Sequence, residues 1–303
     1  MGEKPKTSLR SVNFNITVTG FLFMIPGLIM ILFTIIIPLF WNIILSFLEW
    51  NGNSKAVFVG FDNYLKVFTE RRAYSTLINS IFIGLVSTTF SVVLGLFLAV
   101  CIYRLTKPEG VFCRFIYFSV AMLPMIVVGL LFNFILAPDE GLLNMVLRLL
   151  GLRNLERAWL GNPKIVLWSL ALVQGFKISG AIMMLFYTAM IRIPHSFFEA
   201  GKLEGAGYFH ELKLIILPLL KPTAALVVSL FLIIAFKSYD IVWTMTKGGP
   251  GDVSKTAPIR MIETAFTFGQ FGYAASIGVI LTIIVGLCVA GSRRLFAGEA
   301  YEY

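Results

Sequence analysis

The chain has 303 residues, of which 58% are hydrophobic and only 14% are charged. A soluble domain is about half apolar and about a quarter charged, so this composition excludes an ordinary water-soluble fold and predicts an all-α integral membrane protein. The formal net charge of +9 would suit nucleic acid in a soluble protein, but the Lys and Arg residues are scattered through the connecting segments, so we interpret them as helix-end anchors against anionic lipid and exclude a nucleic-acid partner.

Six apolar segments are long enough to cross a bilayer, whose hydrocarbon core of about 30 Å needs roughly 20 helical residues. Pro26 and Pro38 lie in the first segment and Pro124 in the third, so kinks are expected there. No low-complexity linker or clear internal repeat divides the chain, and residues 1–303 are therefore treated as a single transmembrane domain. The predicted spans are 18–46, 78–103, 113–136, 165–190, 222–244 and 273–291.

Two short amphipathic segments accompany these spans. Residues 61–68 follow the first span and residues 141–151 follow the third, and both fall on the same predicted face of the membrane. They are too short to cross a bilayer, so we predict interfacial helices that meet a partner or guard an entrance. Six spans place both termini on one side, but the Lys and Arg residues are shared almost equally between the two sides and do not say which side this is.

The sequence lacks the patterns that indicate an enzyme or a metal site. Its three cysteines have no paired spacing, and its two histidines, His195 and His210, both flank one polar loop. The nearest match to a phosphate-binding loop, 249–256, has Ser254 where the second glycine should be. We therefore expect no catalytic residues, no metal and no cofactor bound by this chain.

The connection between the fourth and fifth spans, residues 191–221, is long, charged and rich in small residues. It is typical of two short helices broken at 205–207, where glycine permits a sharp turn, and it is closed by Pro218 before the fifth span. Its sequence matches the spacing of a signature that reads Glu-Ala-Ala, three residues, Gly, nine residues and Ile-x-Leu-Pro; Gly201 replaces the second Ala, and Glu204 stands where Asp is usual. The candidate positions are Glu199, Ala200, Gly201, Glu204, Gly205, Ala206, Gly207, Ile215, Leu217 and Pro218.

Through this signature the chain resembles the membrane subunits of binding-protein-dependent ABC importers. The resemblance implies six transmembrane helices in a type I ABC importer permease fold, in the inner (cytoplasmic) membrane, with the loop and both termini on the cytoplasmic side. It implies that Glu199 meets a basic group of an ATPase subunit. The implied partners are a second permease, two ABC ATPase subunits that bind ATP and Mg²⁺, and an extracytoplasmic solute-binding protein that delivers the solute. Transport would then proceed by alternating access.

Further motifs resemble the carbohydrate-type permeases, the group that includes maltose and glycerol-phosphate uptake systems. They are Val-Gly-Phe-Asp-Asn-Tyr at 59–64, Gly-Leu-Leu-Asn at 141–144 with Trp-Leu at 159–160, and Tyr-Asp at 239–240 followed by Thr-Lys-Gly-Gly-Pro at 246–250. The resemblance implies that the transported solute is a sugar or an oligosaccharide.

Charged residues inside the predicted spans indicate a polar surface within the membrane. An unpaired charge there costs about 3 kcal/mol or more, so Lys177, Lys237 and Asp240 should each face a cavity or a partner. Lys237 and Asp240 are three residues apart and can form a structural ion pair; alternatively, they line a translocation path. In that case a lysine that Asp240 does not neutralise would suit an acidic solute. The candidate path residues are Gln174, Lys177, Lys237, Tyr239, Asp240 and Trp243.

An ion-gradient-driven secondary transporter or channel is the alternative function that the sequence leaves open. It would use Lys237 and Asp240 as an intramembrane charge pair. The loop signature favours the importer. Uptake that survives loss of the ATPase but collapses with the proton gradient would favour the alternative.

Overall fold

The structure is a computed structural model that describes residues 9–203, 205 and 207–296. Helices dominate this part of the chain, with one pair of short antiparallel strands in which Leu48 pairs with Phe58. The elements are α1 (Leu9–Ile31), a π-helical segment (Leu32–Ile36), α2 (Ile37–Ser46), β1 (Leu48–Glu49), β2 (Val57–Phe58), α3 (Asp62–Thr69), α4 (Arg71–Tyr103), α5 (Lys107–Met122), α6 (Met125–Ile135), α7 (Leu142–Leu149), a 3₁₀ turn (Arg153–Leu155), α8 (Val166–Met190), α9 (His195–Leu203), α10 (Tyr208–Glu211), a π-helical segment (Leu212–Ile216), α11 (Leu217–Leu219), α12 (Lys221–Phe236), α13 (Asp240–Thr246), α14 (Ala257–Ile262), a π-helical segment (Glu263–Thr267) and α15 (Phe271–Leu295).

Four helical stretches of the described chain are long and apolar enough to cross a bilayer: Gly20–Ser46, α4, α8 and α15. They coincide with the first, second, fourth and sixth predicted spans. Two bent helix pairs bring the number to six if each pair counts as one span. The short predicted segments are also helical, as α3 and α7.

The third predicted span, 113–136, is not one helix. Helices α5 and α6 meet at an angle of 101° at residues 123 and 124. Leu123 adopts extended backbone angles, φ −65° and ψ 142°, because a residue that precedes proline is sterically disfavoured in the helical region. Pro124 therefore ends α5 rather than only kinking the span.

The fifth predicted span, 222–244, is also interrupted. Helix α12 ends at Phe236 and α13 begins at Asp240, with residues 237–239 outside both helices. The helical segment Tyr208–Leu219 precedes α12 at an angle of 62°. The break within the apolar segment exposes backbone groups that need partners away from water, and buried side chains supply them, as described below.

Helices α4 and α8 pack against each other through glycine. A Cβ on Gly95 would lie 2.6 Å from Cγ2 of Ile182, and a Cβ on Gly175 would lie 2.8 Å from the carbonyl oxygen of Ser87. Small residues let two helix backbones approach closely, so that van der Waals contact holds them together in lipid. One buried cluster lies near the start of α8 and a second lies at its end.

The first span lies on the outside of the described chain. None of its most apolar stretch is buried, and Phe23 and Phe33 are 82% and 66% exposed. Its α2 segment packs along α15. A surface this apolar is stable against lipid or another membrane protein rather than water.

Candidate functional site

The loop between α8 and α12 contains two short helices, α9 and α10, as the sequence predicts. Gly205 between them has a φ of +77°, a left-handed conformation that glycine adopts without a steric penalty. Gly207 is extended and immediately precedes α10. Glu204 and Ala206, which were also predicted to belong to this loop, lie outside the described residues.

The outer surface of α9 combines a carboxylate with apolar side chains. Glu199 and Ala200 are exposed, whereas Gly201 is buried. No hydrogen bond or ion pair holds Glu199 within the described part of the chain. Leu203 at the end of α9 and Phe209 in α10 are 90% and 81% exposed. An exposed apolar patch with a carboxylate that has no partner is typical of a protein-docking surface.

Aromatic contacts connect this loop to the ends of α4 and α8. The ring of Phe198 in α9 stacks on that of Tyr103 at the end of α4, with centroids 6.5 Å apart. The guanidinium of Arg104 lies over the ring of Tyr208 in α10. Tyr103 also contacts Tyr187 near the end of α8. These contacts join α9 and α10 to the ends of α4 and α8.

The end of the loop turns into α12 through a π-helical segment. The N–H of Leu217 donates to the carbonyl of Leu212, and Pro218, which has no N–H, begins the next turn. Ile216 is 3% exposed and belongs to the buried cluster at the end of α8. Ile215 and Pro218 are half-buried beside it. The residue that packs against the membrane helices is thus Ile216, the variable position of Ile-x-Leu-Pro, whereas Leu217 is 39% exposed.

A buried hydrogen-bond network fastens the break between α12 and α13. Nε2 of Gln174 in α8 donates to the carbonyl of Ala235 at 3.1 Å, and the Ser238 hydroxyl donates to Oε1 of Gln174 at 2.7 Å. The Ser238 hydroxyl also contacts the Ala235 carbonyl, and the Thr256 hydroxyl donates to the Ser238 carbonyl at 2.8 Å. Gln174 is 1% exposed. The Gln174 amide, predicted to line a path, is therefore engaged by protein groups in this structure and does not reach an open surface.

The other predicted path residues lie on a more open surface. The rings of Tyr239 and Trp243 stack at 5.8 Å with an interplanar angle of 12°, and Trp243 is 40% exposed. Lys237 and Asp240 are exposed, and Lys177 is half-buried.

The predicted ion pair between Lys237 and Asp240 is absent from the described chain. The prediction assumed one helical turn, but Lys237 follows α12 and Asp240 begins α13. Because the helix is interrupted between them, these residues do not have the geometry of neighbours on one helix face.

Isolated amide side chains hold the last turn of α13 and the loop that follows it. Nδ2 of Asn79 in α4 donates to the carbonyls of Val253 and Lys255 at 2.7 and 2.8 Å. Nδ2 of Asn133 in α6 donates to the carbonyl of Thr244 at 3.0 Å. Asn79, Asn133 and Ser238 were not among the residues predicted from the sequence. The two asparagines could have been noticed in the sequence, because a lone amide in an apolar helix needs buried hydrogen-bond partners.

The carbohydrate-type motifs contain two further amides of this kind. Asn63 is 3% exposed, and its Nδ2 donates to the carbonyls of Ser46 and Leu48. Asn144 is 1% exposed and accepts a 2.8 Å hydrogen bond from the indole of Trp159. These motif residues fix the connections next to α3 and α7.

In two charged clusters outside the spans, neighbouring groups shift the pKa of one member. The hydrogen bond with the Arg148 guanidinium lowers the pKa of Glu156, at an Nη2 to Oε2 distance of 2.9 Å. Burial lowers the pKa of Lys255, but hydrogen bonds to Glu263 and Asp252 outweigh this effect and raise it overall. Both clusters are ion pairs that stabilise loops, so neither indicates a proton-transfer site.

Known proteins similar to this chain agree with its architecture. A probable ABC transporter permease protein of Bacillus subtilis, YurN, is 34% identical over 87% of this chain and 91% of its own length. The diacetylchitobiose uptake system permease protein NgcF of Streptomyces coelicolor is 32% identical over 92% of this chain and 82% of its own. A chain of a bacterial alginate ABC transporter, in a crystal structure with an alginate pentasaccharide-bound periplasmic protein, has the same fold, with a TM-score of 0.79, 16% identity, and coverage of 96% of this chain and 99% of that one.

The family match covers most of the chain and includes the loop between α8 and α12. Residues 91–298 match the family described as the binding-protein-dependent transport system inner membrane component. The match confirms the predicted family and the type I importer permease fold. The chain therefore belongs to this family, the inner-membrane permease subunits of ABC importers, which transport a solute and are not enzymes.

Proposed function

We propose that this chain forms one half of the path through which an ATP-driven importer takes up a sugar or oligosaccharide handed over by an extracytoplasmic solute-binding protein. The observation that supports the path is the stacked pair Tyr239 and Trp243 beside the break at 237–239. Its partly exposed rings offer apolar faces with polar edges, a combination suited to sugars. The name of the relative NgcF, a diacetylchitobiose permease, supports the same solute class.

The charges beside this pair extend the proposed path. Lys237 and Asp240 are exposed next to it, and Lys177 is half-buried on α8 without an ion-pair partner in the described chain. A lysine that lacks a carboxylate within the membrane favours an anion in its neighbourhood. Replacing Lys177 by Met should therefore impair the uptake of an acidic sugar more than that of a neutral one. Equal effects on both would contradict this role.

The second half of the path is proposed to come from another permease, in a heterodimer. The apolar outer surface of the first span supports this proposal, because it leaves a large area for lipid and for a partner helix.

The loop of α9 and α10 is proposed to dock on an ABC ATPase at the cytoplasmic face, which places both termini on that side. The exposed Glu199 and the exposed apolar side chains of Leu203 and Phe209 in the same loop support docking. The contacts of Phe198 and Tyr208 with α4 support transmission of the ATPase motion into the membrane. ATP and Mg²⁺ would bind to the ATPase subunits, and the positions at 199–207 and 215–218 would transmit closure into alternating access.

The test is ATPase activity of the reconstituted complex with and without binding protein and candidate sugars. We expect Glu199→Ala to abolish the stimulation by loaded binding protein. Glu140→Ala is the matched control, because Glu140 is exposed in the connection between α6 and α7 and should leave the stimulation unchanged. Wild-type stimulation in Glu199→Ala would contradict the docking role, and failure of the wild-type chain to associate with any ATPase would contradict the whole proposal.

A further inference from the structure

A cavity of about 540 Å³ lies between the first turns of α4 and the loop that follows α13. Four of its lining residues are basic, namely Arg71, Arg72, Lys255 and Arg260, and one is acidic, Asp252. It lies at the end of α4 opposite Tyr103, and Tyr103 contacts the loop proposed to dock on the ATPase. The cavity is therefore at the other membrane face, where solute would arrive.

The two arginines stand where a helix favours the opposite charge. Arg71 and Arg72 begin a helix of 33 residues, and no acidic residue occurs in its first turn. The partial positive charge of a helix N-terminus attracts anions and repels these side chains. Both are exposed, and no carboxylate pairs with either in the described chain. Glu70, which precedes them, accepts a hydrogen bond from the Tyr273 hydroxyl at 2.9 Å.

Lys255 already engages the acidic residue of the cavity lining, Asp252, and a second carboxylate next to the cavity residues, Glu263. Its Nζ lies 2.9 Å from Asp252 and 2.7 Å from Glu263. Arg260 reaches Glu263 only at 4.0 Å, and its Nε has no hydrogen-bond partner among the described residues. The arrangement thus leaves the two exposed arginines uncompensated and Arg260 only weakly paired.

We propose that this cavity is an oxyanion-binding vestibule that takes the carboxylate, sulfonate or phosphate group of an acidic carbohydrate before the solute enters the path. Guanidinium groups bind such oxyanions through paired N–H donors. The volume is within the range of small-molecule sites. The inference rests on the proposed function, since it names the class of solute and its point of entry.

The test uses a cysteine reporter in the complete complex. Ser75→Cys lines the cavity and is introduced after Cys101, Cys113 and Cys288 have been replaced by Ser. Its reaction with an anionic and a cationic methanethiosulfonate reagent of similar size reports the local potential. Trigalacturonate and maltotriose are then compared as protecting ligands, one acidic and one neutral.

We expect the anionic reagent to react faster, and Arg71→Gln with Arg72→Gln to slow it about fivefold, as two charges removed within about 8 Å in water would. We also expect trigalacturonate to protect the cysteine and maltotriose not to. The matched control, Arg293→Gln with Arg294→Gln, removes two exposed arginines at the end of α15 and should change neither result.

Several outcomes would overturn the vestibule. They are equal rates for both reagents, no protection by trigalacturonate, protection by phosphatidylglycerol in place of the sugar, or arginine variants that weaken only the attachment of the binding protein. If Ser75→Cys and a second reporter, Val253→Cys, both fail to react, the cavity is closed to solutes and the proposal is also overturned. Intact ATPase stimulation in the arginine variants would then show that the proposed importer function stands without the vestibule.

Discussion

The side chain of Gln174 offers the sharpest test of how the break between α12 and α13 is held. Gln174 is 1% exposed. Replacing it by Leu keeps a side chain of similar size but removes the polar amide. It removes the hydrogen bonds to Ala235 at 3.1 Å and from Ser238 at 2.7 Å. Two neutral hydrogen bonds contribute about 1 kcal/mol each, so the free energy of unfolding should fall by about 2 kcal/mol. The remaining contact of Ser238 with the Ala235 carbonyl keeps the loss from being larger.

The assay is a denaturant titration of the detergent-solubilised chain, combined with a double-mutant cycle. Ser238→Ala alone should lower the free energy of unfolding by about 1 kcal/mol or more. The double variant should lose about 1 kcal/mol less than the sum of the two single losses, because both single changes remove the same hydrogen bond. Gln270→Leu is the matched control, because Gln270 is exposed and should change stability by less than about 0.5 kcal/mol. Additive losses, or a loss of transport with unchanged stability, would refute the fastening role and restore Gln174 as a path residue.

Three further predictions concern the proposed path and the membrane-face connections. Trp243→Ala should lower sugar uptake by reconstituted vesicles at least about tenfold, the effect of losing about 1.4 kcal/mol of binding free energy. Trp41→Ala, at an exposed position of the first span, should leave uptake unchanged. Equal uptake by both variants would contradict the proposed role of the Tyr239 and Trp243 rings. Asn144→Leu should destabilise the chain by about 3 kcal/mol in denaturant titration, because three hydrogen bonds of 2.8 to 2.9 Å and a longer one of 3.4 Å are lost; an unchanged midpoint would contradict this. The pKa of Glu156 is lowered, so the ionised Glu156 contributes fully to stability above about pH 4.3, and this contribution is lost as pH falls through the folded pKa. Backbone hydrogen exchange in residues 148–157 should therefore become faster only in acid. In Glu156→Gln the faster exchange should already be present at neutral pH.

The spans could be predicted where apolar length alone decides the structure. The second, fourth and sixth predicted spans are single α-helices, and the first stays helical past Pro26 and Pro38 with a π-helical segment at Leu32–Ile36. The third and fifth were predicted as single helices and are broken. Pro124 makes one break by local sterics, which the sequence contains. The break at 237–239 depends on Gln174 and Thr256, which are distant in sequence.

The candidate sites divide in the same way. The break in the loop at 205–207 could be predicted because glycine conformation is a local property. The ion pair of Lys237 with Asp240, one of the two alternatives, does not form because the helix between them does not continue. Gln174 lies on the unbroken helix α8, and its burial depends on Ala235 and Ser238, which are distant in sequence. Asn79 and Asn133 were missed because a single sequence does not say which carbonyl a buried amide will meet. The ends of the loop are attached through rings and an arginine whose contacts also form only in the fold.

The most direct test of the account is cross-linking from the loop of α9 to an ABC ATPase in the assembled complex. A cysteine at Ala200, which is exposed on α9, should form a cross-link to the ATPase subunit in the chain that lacks its native cysteines. A cysteine at Glu140 should form none. Two results would contradict the claim that this loop couples the permease to ATP hydrolysis. One is a cross-link from Glu140→Cys, and the other is the lack of any cross-link from either cysteine in a complex that hydrolyses ATP.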